Sequence, residues 1–419
     1  MNKLRESIRS RMRQRWLRRH GGSFADHGAP RRPRLLVDVS VIARNDARTG
    51  IQRVVRSVWS HLSLLHSDGF DVVPVHASQD RGYCFSPVGF LSEHKGPGNV
   101  PVGMKSGDIF LGLDLAAHNL PKWSEQIDCW RTNGATVHIV VYDLLPLSHP
   151  AWFSPATGER FAAWLDSIVK RADQLLCISD EVAGELRQLL ERIAPDRRPR
   201  IGRLHLSGDV AGSVPSVGLS ARVEQTLKLV RANPTVLMVG TVEPRKAYDR
   251  AISAFELLWK SSADAPSLLI IGRPGWKTAK LQDDIRKHPE LGRRLHWLQE
   301  ASDEALDHAY TAARAVLIAS YAEGFGLPLA EAAMHRRWTL VRDLPVFREQ
   351  CLPNVHYFTD DSARSLARSI ETITCMAKEE QPARANIPHW SSCVDKLIGE
   401  IGLGERESPM RKRQLVAAP

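Results

Sequence analysis

Two glutamates flank a glycine-rich turn in the stretch Glu323-Gly324-Phe325-Gly326-Leu327-Pro328-Leu329-Ala330-Glu331. An apolar run ends just before the turn, at Ile318, and Pro328 suits the first turn of a helix. The pattern predicts a strand, a tight loop and a helix, with Glu323 at the loop mouth and Glu331 in the helix. Backbone N–H groups at such a helix start can bind an anion, and two separated carboxylates can accept hydrogen bonds from hydroxyl groups. The stretch therefore suits a long polar ligand such as a nucleotide sugar.

A pair of cations follows a second apolar run. The run from Pro234 to Gly240 is typical of a buried strand, and Arg245 and Lys246 come just before a helical segment. Cations at a helix start oppose the helix dipole and cost about 0.3–1 kcal/mol unless an anion is present. A bound diphosphate would make the placement favourable, whereas the alternative is a solvated charge pair.

Two further candidates follow strands in the N-terminal half. Asp143 comes after the apolar run Thr136 to Val141, where α/β proteins bind ligands. It is either a sugar-binding or catalytic acid, or a turn and helix-cap acid. Gly50 follows the first strand and a polar loop, and it either faces the ligand crevice or forms a turn. For His149, just beyond Asp143, a structural role is favoured.

The elements that must position these residues alternate between apolar runs and helical segments, which predicts an α/β fold of doubly wound sheets. A length of 419 residues suggests two to three domains. The predicted segments are a basic arm and tether (1–33), an N-terminal domain (34–210), a linker (211–230), a C-terminal domain (231–380), a C-terminal helix (381–404) and a disordered tail (405–419).

Charge and cysteine usage limit the function classes. The net charge is +10, but residues 1–34 contain eleven Lys and Arg against two Asp and Glu, so the rest of the chain is nearly neutral. This distribution argues against nucleic-acid binding. Six scattered cysteines, with no metal-ligand spacing, fit a reduced cytoplasmic setting and no metal. No apolar run reaches the roughly 18 residues of a membrane span.

The first twenty residues have a helical pattern, with Leu4, Ile8, Met12 and Trp16 four apart among many arginines. Such a helix can lie on an anionic membrane surface with its apolar residues inserted, which would place the protein at the inner face of the plasma membrane. The alternative is a solvated or locally docked arm.

Together these motifs resemble the retaining glycosyltransferases of the GT-B fold, family four, from about Leu35 to Leu403. The resemblance rests on Glu323 and Glu331 as an E-x7-E pair, on the segment from Gly240 to Lys246, and on Gly272-Arg273-Pro274-Gly275-Trp276. It implies two Rossmann-like domains facing a central cleft. Thr49 to Arg53 and Tyr142 to Pro146 are similar to bacterial mannosyltransferases that build surface polysaccharides, including lipopolysaccharide.

The resemblance also implies roles for single residues. It assigns Glu323 to donor-sugar hydroxyls, Glu331 to the nucleotide ribose, and Arg245 and Lys246 to the leaving diphosphate, with Asp143 as a further catalytic candidate. The other expected donor contacts are Gly50, Gly240, Gly272, Gly324, Phe325, Gly326 and Leu327. The chain departs from the family at Tyr142, where relatives often have a histidine near the donor sugar, and at Arg336 and Trp338.

The implied activity is metal-independent transfer of a sugar, with retention, from a nucleotide diphosphate to a lipid-linked or polysaccharide acceptor, without a cofactor and with GDP-mannose as the favoured donor. A nucleotide-sugar epimerase of the same fold and a non-catalytic sugar-nucleotide-binding protein remain alternatives. A hydrolase would need its two carboxyls about 5–9 Å apart across the sugar and would leave Arg245 and Lys246 without a role.

Overall fold

The computed structural model describes residues 2–20, 31–65, 69–86, 100–194 and 196–403, without the side chains of residues 2–9, 378 and 379. The chain forms two compact units. The first combines Met1–Leu147, Pro155–His205 and Ser391–Pro419, and the second combines Ser148–Ser154 with Leu206–Trp390.

Each unit is built on one sheet, with helices between most of its successive strands. The strands are β1 Arg34–Asp38, β2 Asp71–His76, β3 Cys84–Phe85, β4 Ile109–Gly112, β5 Thr136–Val141, β6 Gln174–Cys177, β7 Arg200–Arg203, β8 Thr235–Val239, β9 Ser267–Ile271, β10 Leu295–Leu298, β11 Ala315–Ile318, β12 Trp338–Arg342 and β13 Val355–Phe358. The α-helices are α1 Asn2–His20, α2 Gly50–Leu62, α3 Ser124–Thr132, α4 Leu145–Ser148, α5 Pro155–Arg171, α6 Asp180–Ile193, α7 Ala221–Ala232, α8 Tyr248–Ser261, α9 Ala279–Arg286, α10 Asp303–Ala312, α11 Leu327–Met334, α12 Pro345–Arg348, α13 Ala363–Glu379 and α14 Trp390–Glu400. Short 3-10 helices occur at Leu120–Trp123, Pro150–Trp152, Ala211–Ser213 and Pro244–Lys246.

Among the described residues, the first unit has a seven-stranded sheet of order β3-β2-β1-β4-β5-β6-β7, parallel except for β3. Strands β4 and β6 are buried along their whole length, as expected where helices cover both faces of the sheet. Large aromatic side chains fill the core, including Phe110, Trp123, Trp130 and Trp164.

The second unit has a fully parallel sheet of order β10-β9-β8-β11-β12-β13. The chain runs outward from β8 through β9 to β10, and then returns to the other side of β8 to continue through β11. The strand order therefore reverses between β8 and β11. In open α/β sheets, ligands bind at such a switch point, beyond the carboxyl ends of the strands. The predicted α/β architecture of two doubly wound units is thus confirmed.

The predicted linker at 211–230 is wrong over most of its length. Residues 221–232 form α7, whose Val223, Leu227 and Val230 are buried in the core of the second unit. Before α7, the backbone N–H of Gly218 donates to Glu304 Oε2 at 2.6 Å. The N-terminal part of the first unit ends at His205, earlier than the predicted boundary at residue 210.

The two ends of the chain also differ from the predicted segments. Trp16 and Leu17 of α1 pack against the core of the first unit, so the helix is not a free arm. The apolar and the charged residues of α1 are not separated onto opposite faces, so the helix is almost not amphipathic. The predicted C-terminal helix at 381–404 is observed as α14, and from Ser391 onward it belongs to the first unit. The predicted tail at 405–419 lies outside the described residues.

Candidate functional site

The loops after β8 and β11 bring Arg245, Lys246 and Glu323 together at the switch point. Arg245 Nη1 donates to Glu323 Oε2 at 2.6 Å, and Lys246 Nζ donates to Glu323 Oε1 at 2.5 Å. Arg245 Nε also pairs with Glu243 Oε1 at 2.7 Å. Two cations and two carboxylates therefore form a formally neutral cluster, which we call the Glu323 cluster. As predicted, the cations precede a helix, here α8, but Glu323 and Glu243 already neutralise them.

The Glu323 carboxyl is ionised throughout the physiological range. Burial alone would raise its pKa, but the positive charges of Arg245 and Lys246 and hydrogen bonds from Lys246 and Ser320 lower the pKa to about 2. A glycosidase acid needs a raised pKa in order to donate a proton at neutral pH. Glu323 is therefore a hydrogen-bond acceptor and cannot serve as a general acid.

The two glycine loops that follow β8 and β9 are packed backbone to backbone. A Cβ at Gly272 would lie 1.8 Å from Gly240 O, so only glycine fits there. Beyond them, the Val242 N–H donates to Arg273 O at 2.9 Å, and the Gly275 N–H donates to Val242 O at 3.1 Å. These contacts fix the loop that carries Arg245 and Lys246.

The glycine-rich turn after β11 packs against Phe347 of α12. Gly326 has a φ of +87°, and a Cβ there would meet the Phe347 ring at 2.4 Å. The Phe325 carbonyl accepts a hydrogen bond of 2.6 Å from Gln350 Nε2. Gly324 is buried, and Leu327 begins α11 as the sequence predicts. The turn is therefore held by its own backbone geometry and by aromatic packing.

Glu331 lies in α11, but its carboxylate is buried and already has a partner. Its side chain accepts a hydrogen bond of 2.6 Å from the Tyr310 hydroxyl at Oε2, and the residue is only 2% exposed. The Tyr310 ring stacks on His335, and His335 bonds to the Glu331 carbonyl. Nothing in the sequence pattern marks Tyr310, 21 residues before Glu331, as this partner.

Asp143 and Gly50 lie in the first unit. Asp143 Oδ1 accepts a hydrogen bond of 3.1 Å from the Leu145 N–H. This contact is the one expected of a turn acid, the predicted alternative to a catalytic role. Tyr142, which stands where relatives often have a histidine, is buried and donates to Leu113 O at 2.8 Å. Gly50 is the exposed first residue of α2, next to the capping residue Thr49.

Sequence reasoning missed two buried acids at the switch point of the first sheet. Asp38 ends β1 and accepts hydrogen bonds from the Ser40 N–H at 2.9 Å, the Ser40 hydroxyl, and the Tyr83 hydroxyl at 2.9 Å. Asp114 follows β4 and accepts hydrogen bonds of 2.8 Å from the backbone N–H groups of Val41 and Ile42. Burial raises the pKa of Asp38 to about 7 and that of Asp114 to about 6. Apolar runs that end in Asp were the available signal.

The part of the chain that the structure describes contains no group of three or more His, Cys, Asp or Glu arranged to hold a metal ion. Over the same residues, no helix is long and apolar enough to cross a membrane.

Comparison with known sequences finds glycosyltransferases. Residues 223–388 match the family described as Glycosyl transferases group 1. Over 365 residues the chain is 36% identical to the serotype-specific mannosyltransferase WbdA of Escherichia coli. The match covers 85% of this chain and 44% of the relative. These relatives match most of this chain, but the chain spans less than half of their length.

Solved structures of low sequence identity share the fold. Anabaena Alr3699/HepE, crystallised with UDP and glucose, aligns with a TM-score of 0.57 at 13% identity and covers 93% of this chain and all of that one. WaaG, a glycosyltransferase involved in lipopolysaccharide biosynthesis, aligns with a TM-score of 0.56 at 14% identity over 88% of this chain and 99% of that one. The chain therefore has the GT-B fold, and its second unit carries a domain of the group 1 glycosyltransferase family.

Proposed function

We propose that the protein is a retaining glycosyltransferase that moves a sugar from a nucleotide diphosphate to a lipid-linked or polysaccharide acceptor. The observation that supports this function best is the Glu323 cluster at the switch point of a group 1 glycosyltransferase domain. Relatives named as mannosyltransferases favour mannose as the sugar, with GDP-mannose as the donor. The reaction needs no metal in this proposal.

The cations act on the leaving group. As the bond to the anomeric carbon breaks, negative charge grows on the nucleoside diphosphate, and preorganised cations stabilise it. Arg245 and Lys246 are held by Glu323, with side-chain exposures of 19% and 10%. Because their orientation is fixed before the donor binds, little reorganisation is needed when the charge develops.

Glu323 orients the donor sugar. An ionised carboxylate has about four acceptor positions. Lys246, Arg245 and Ser320 supply three hydrogen bonds, which leaves room for a sugar hydroxyl. In this proposal Glu331 binds the nucleotide ribose, and a donor phosphate oxygen takes the acceptor proton on the face from which the diphosphate departs.

We also propose that the protein works in the cytoplasm at an anionic membrane surface, where a lipid-linked acceptor would be found. The support is the concentration of arginine in residues 1–20. Since Trp16 packs on the first unit, the contact with lipid headgroups is made by the arginines and not by insertion of Trp16.

The test is incubation of the protein with GDP-mannose, UDP-glucose or dTDP-rhamnose and a saccharide acceptor. Transfer from one donor supports the proposal, a free epimer would indicate an epimerase, and binding without turnover would indicate a non-catalytic protein. Lys246→Ala and Glu323→Gln should each lower kcat by about 100-fold or more while circular dichroism stays unchanged. Lys280→Ala removes an exposed cation of the same unit and is the matched control. Wild-type rates in both site variants would rule out this site.

A further inference from the structure

Five aromatic side chains lie together in the second unit, next to the Glu323 cluster but outside it; we call them the aromatic surface. They are His149, Trp152, Phe153, Trp276 and Tyr321. The His149 and Trp152 rings are parallel, with centroids 4.2 Å apart and an interplanar angle of 4°. Trp152 stacks on Tyr321 at 6.5 Å, and Phe153 contacts Trp276 at 6.0 Å.

The loop after β9 anchors this surface through its polar groups. Trp276 Nε1 donates to Trp152 O at 2.8 Å, and Lys277 Nζ donates to Ala151 O at 2.7 Å. Lys277 has a φ of +56°, a conformation that a lysine rarely adopts, which indicates that the loop is firmly held. With its N–H used by a carbonyl, Trp276 remains 46% exposed. The loop thus holds a large aromatic ring at the surface in a fixed orientation.

Tyr321 joins the aromatic surface to the Glu323 cluster. It lies two residues before Glu323, and its backbone N–H donates to Arg245 O at 2.8 Å. Its hydroxyl donates to Asp361 Oδ2 at 2.9 Å, and the Arg342 guanidinium lies 4.2 Å from its ring centroid. The aromatic surface therefore begins within a few residues of the groups proposed to hold the donor.

The chemistry of the surface favours sugar rings. Pyranose rings have apolar C–H faces and hydroxyl edges, and they stack on indole and phenol rings whose polar atoms are already paired. A nucleobase would also stack, but selective binding of a base requires polar groups at its edge. Here the Trp276 N–H is used by a backbone carbonyl, so the exposed indole has no donor left for a base edge, and Lys277 gives one of its three N–H groups to another carbonyl.

We propose that the aromatic surface binds the sugar rings of the acceptor saccharide beside the donor site, an inference that rests on the proposed glycosyl transfer. Because His149 and Tyr321 cover the faces of Trp152, the sugars contact the Trp276 ring and the outer rim of the stack. More than one sugar fits along these contacts, so affinity increases with the length of the saccharide. Trp276 supplies the most exposed ring and therefore contributes most to the binding of sugars beyond the first.

The test uses the full chain with methyl α-mannoside and an α-linked mannotriose as probes, without donor, in isothermal titration calorimetry. The wild-type protein should bind the triose at least ten-fold more tightly than the monosaccharide. Trp276→Ala should abolish this gain and raise the acceptor KM at least ten-fold, while GDP binds with unchanged affinity. Leu257→Ala, which removes another exposed apolar side chain of the unit, should behave as wild type.

Trp276→Phe separates stacking from a structural role. Phenylalanine keeps an aromatic face but cannot donate to Trp152 O, so stacking predicts affinity within about three-fold of wild type. Equal losses in the Phe and Ala variants would overturn the proposal, as would a wild-type protein that does not distinguish the two probes. Weaker GDP binding with an unchanged acceptor KM would assign the surface to the donor base. Length-dependent saccharide binding without any transfer would contradict only the proposed enzymatic function.

Discussion

At the scale of single residues, the Glu323 cluster and the Asp38 site place carboxylates in opposite electrostatic environments. Arg245 and Lys246 keep the buried Glu323 ionised, whereas Asp38 is buried among neutral hydroxyl and amide donors and close to Asp114. Glu323 is therefore suited to accept hydrogen bonds at all working pH values. Asp38 changes its ionisation near neutrality, and this change affects folding stability.

Asp38 should make the protein less stable as pH rises. Its folded pKa of about 7 lies above the ordinary value of 3.8, so between these values the folded state retains a proton that the unfolded state has lost. Stability is therefore highest below the unfolded pKa and falls as pH rises through the folded pKa. From pH 5 to pH 8 this residue alone should remove roughly 2–3 kcal/mol from the free energy of unfolding.

Asp38→Asn tests this prediction, because asparagine keeps the shape without the titration. Urea denaturation at pH 5 and pH 8 should show a smaller loss of stability in the variant than in the wild type. Asp166→Asn, which changes an exposed acid of α5 paired with Lys170, is the control and should keep the wild-type pH dependence. Parallel pH profiles for wild type and Asp38→Asn would contradict the prediction.

At the scale of secondary structure, the sequence predicts strands better than contacts between them. The predicted strands β5, β8 and β9 are confirmed within a residue, because strands covered on both faces are predominantly apolar. Helix α7 lies within the predicted linker although Val223, Leu227 and Val230 have helical spacing, because the Gly- and Ser-rich segment directly before it is typical of a loop.

The partners within the site were harder to predict for a physical reason. Glu323 meets cations 77 and 78 residues away, and this contact depends on the strand order that places β8 beside β11. Motif spacing identified each half of the Glu323 cluster, but it could not show that one half neutralises the other. The hydroxyl of Tyr310 on Glu331 depends in the same way on the packing of α10 against the sheet.

The docking of α1 provides a test at this scale. The Trp16 ring lies edge-on to Trp123 at 5.1 Å, and a Cβ at Gly82 would meet the ring at 2.5 Å. Trp16→Ala should release the helix from the first unit, so that trypsin cleaves within residues 10–20 at least ten-fold faster. Met12 is 50% exposed, and Met12→Ala should leave the rate unchanged. Equal cleavage rates in Trp16→Ala and wild type would show that this packing does not hold the helix.

At the scale of the whole molecule, the excess positive charge lies in the N-terminal end of the sequence. Of the net charge of +10, nearly all lies in residues 1–34, and α1 is attached to the first unit through Trp16 and Leu17. An anionic surface that attracts these arginines would therefore bind the folded first unit directly through α1. Such attraction contributes about 1 kcal/mol for each basic residue near the lipid and weakens with salt.

Replacing Arg15, Arg18 and Arg19 by serine should weaken binding to vesicles of phosphatidylglycerol and phosphatidylcholine by roughly 100-fold, as three lost contacts of about 1 kcal/mol each imply. Sedimentation with vesicles at 0.1 M salt measures the effect, and 0.5 M salt should abolish wild-type binding. The matched control replaces Lys228, Arg231 and Lys260 of the second unit, which are also exposed, and removes the same net charge. Equal weakening in both triple variants would mean that net charge and not α1 governs attraction. A wild-type protein that stays in the supernatant at low salt would show that the arginines of α1 serve another purpose.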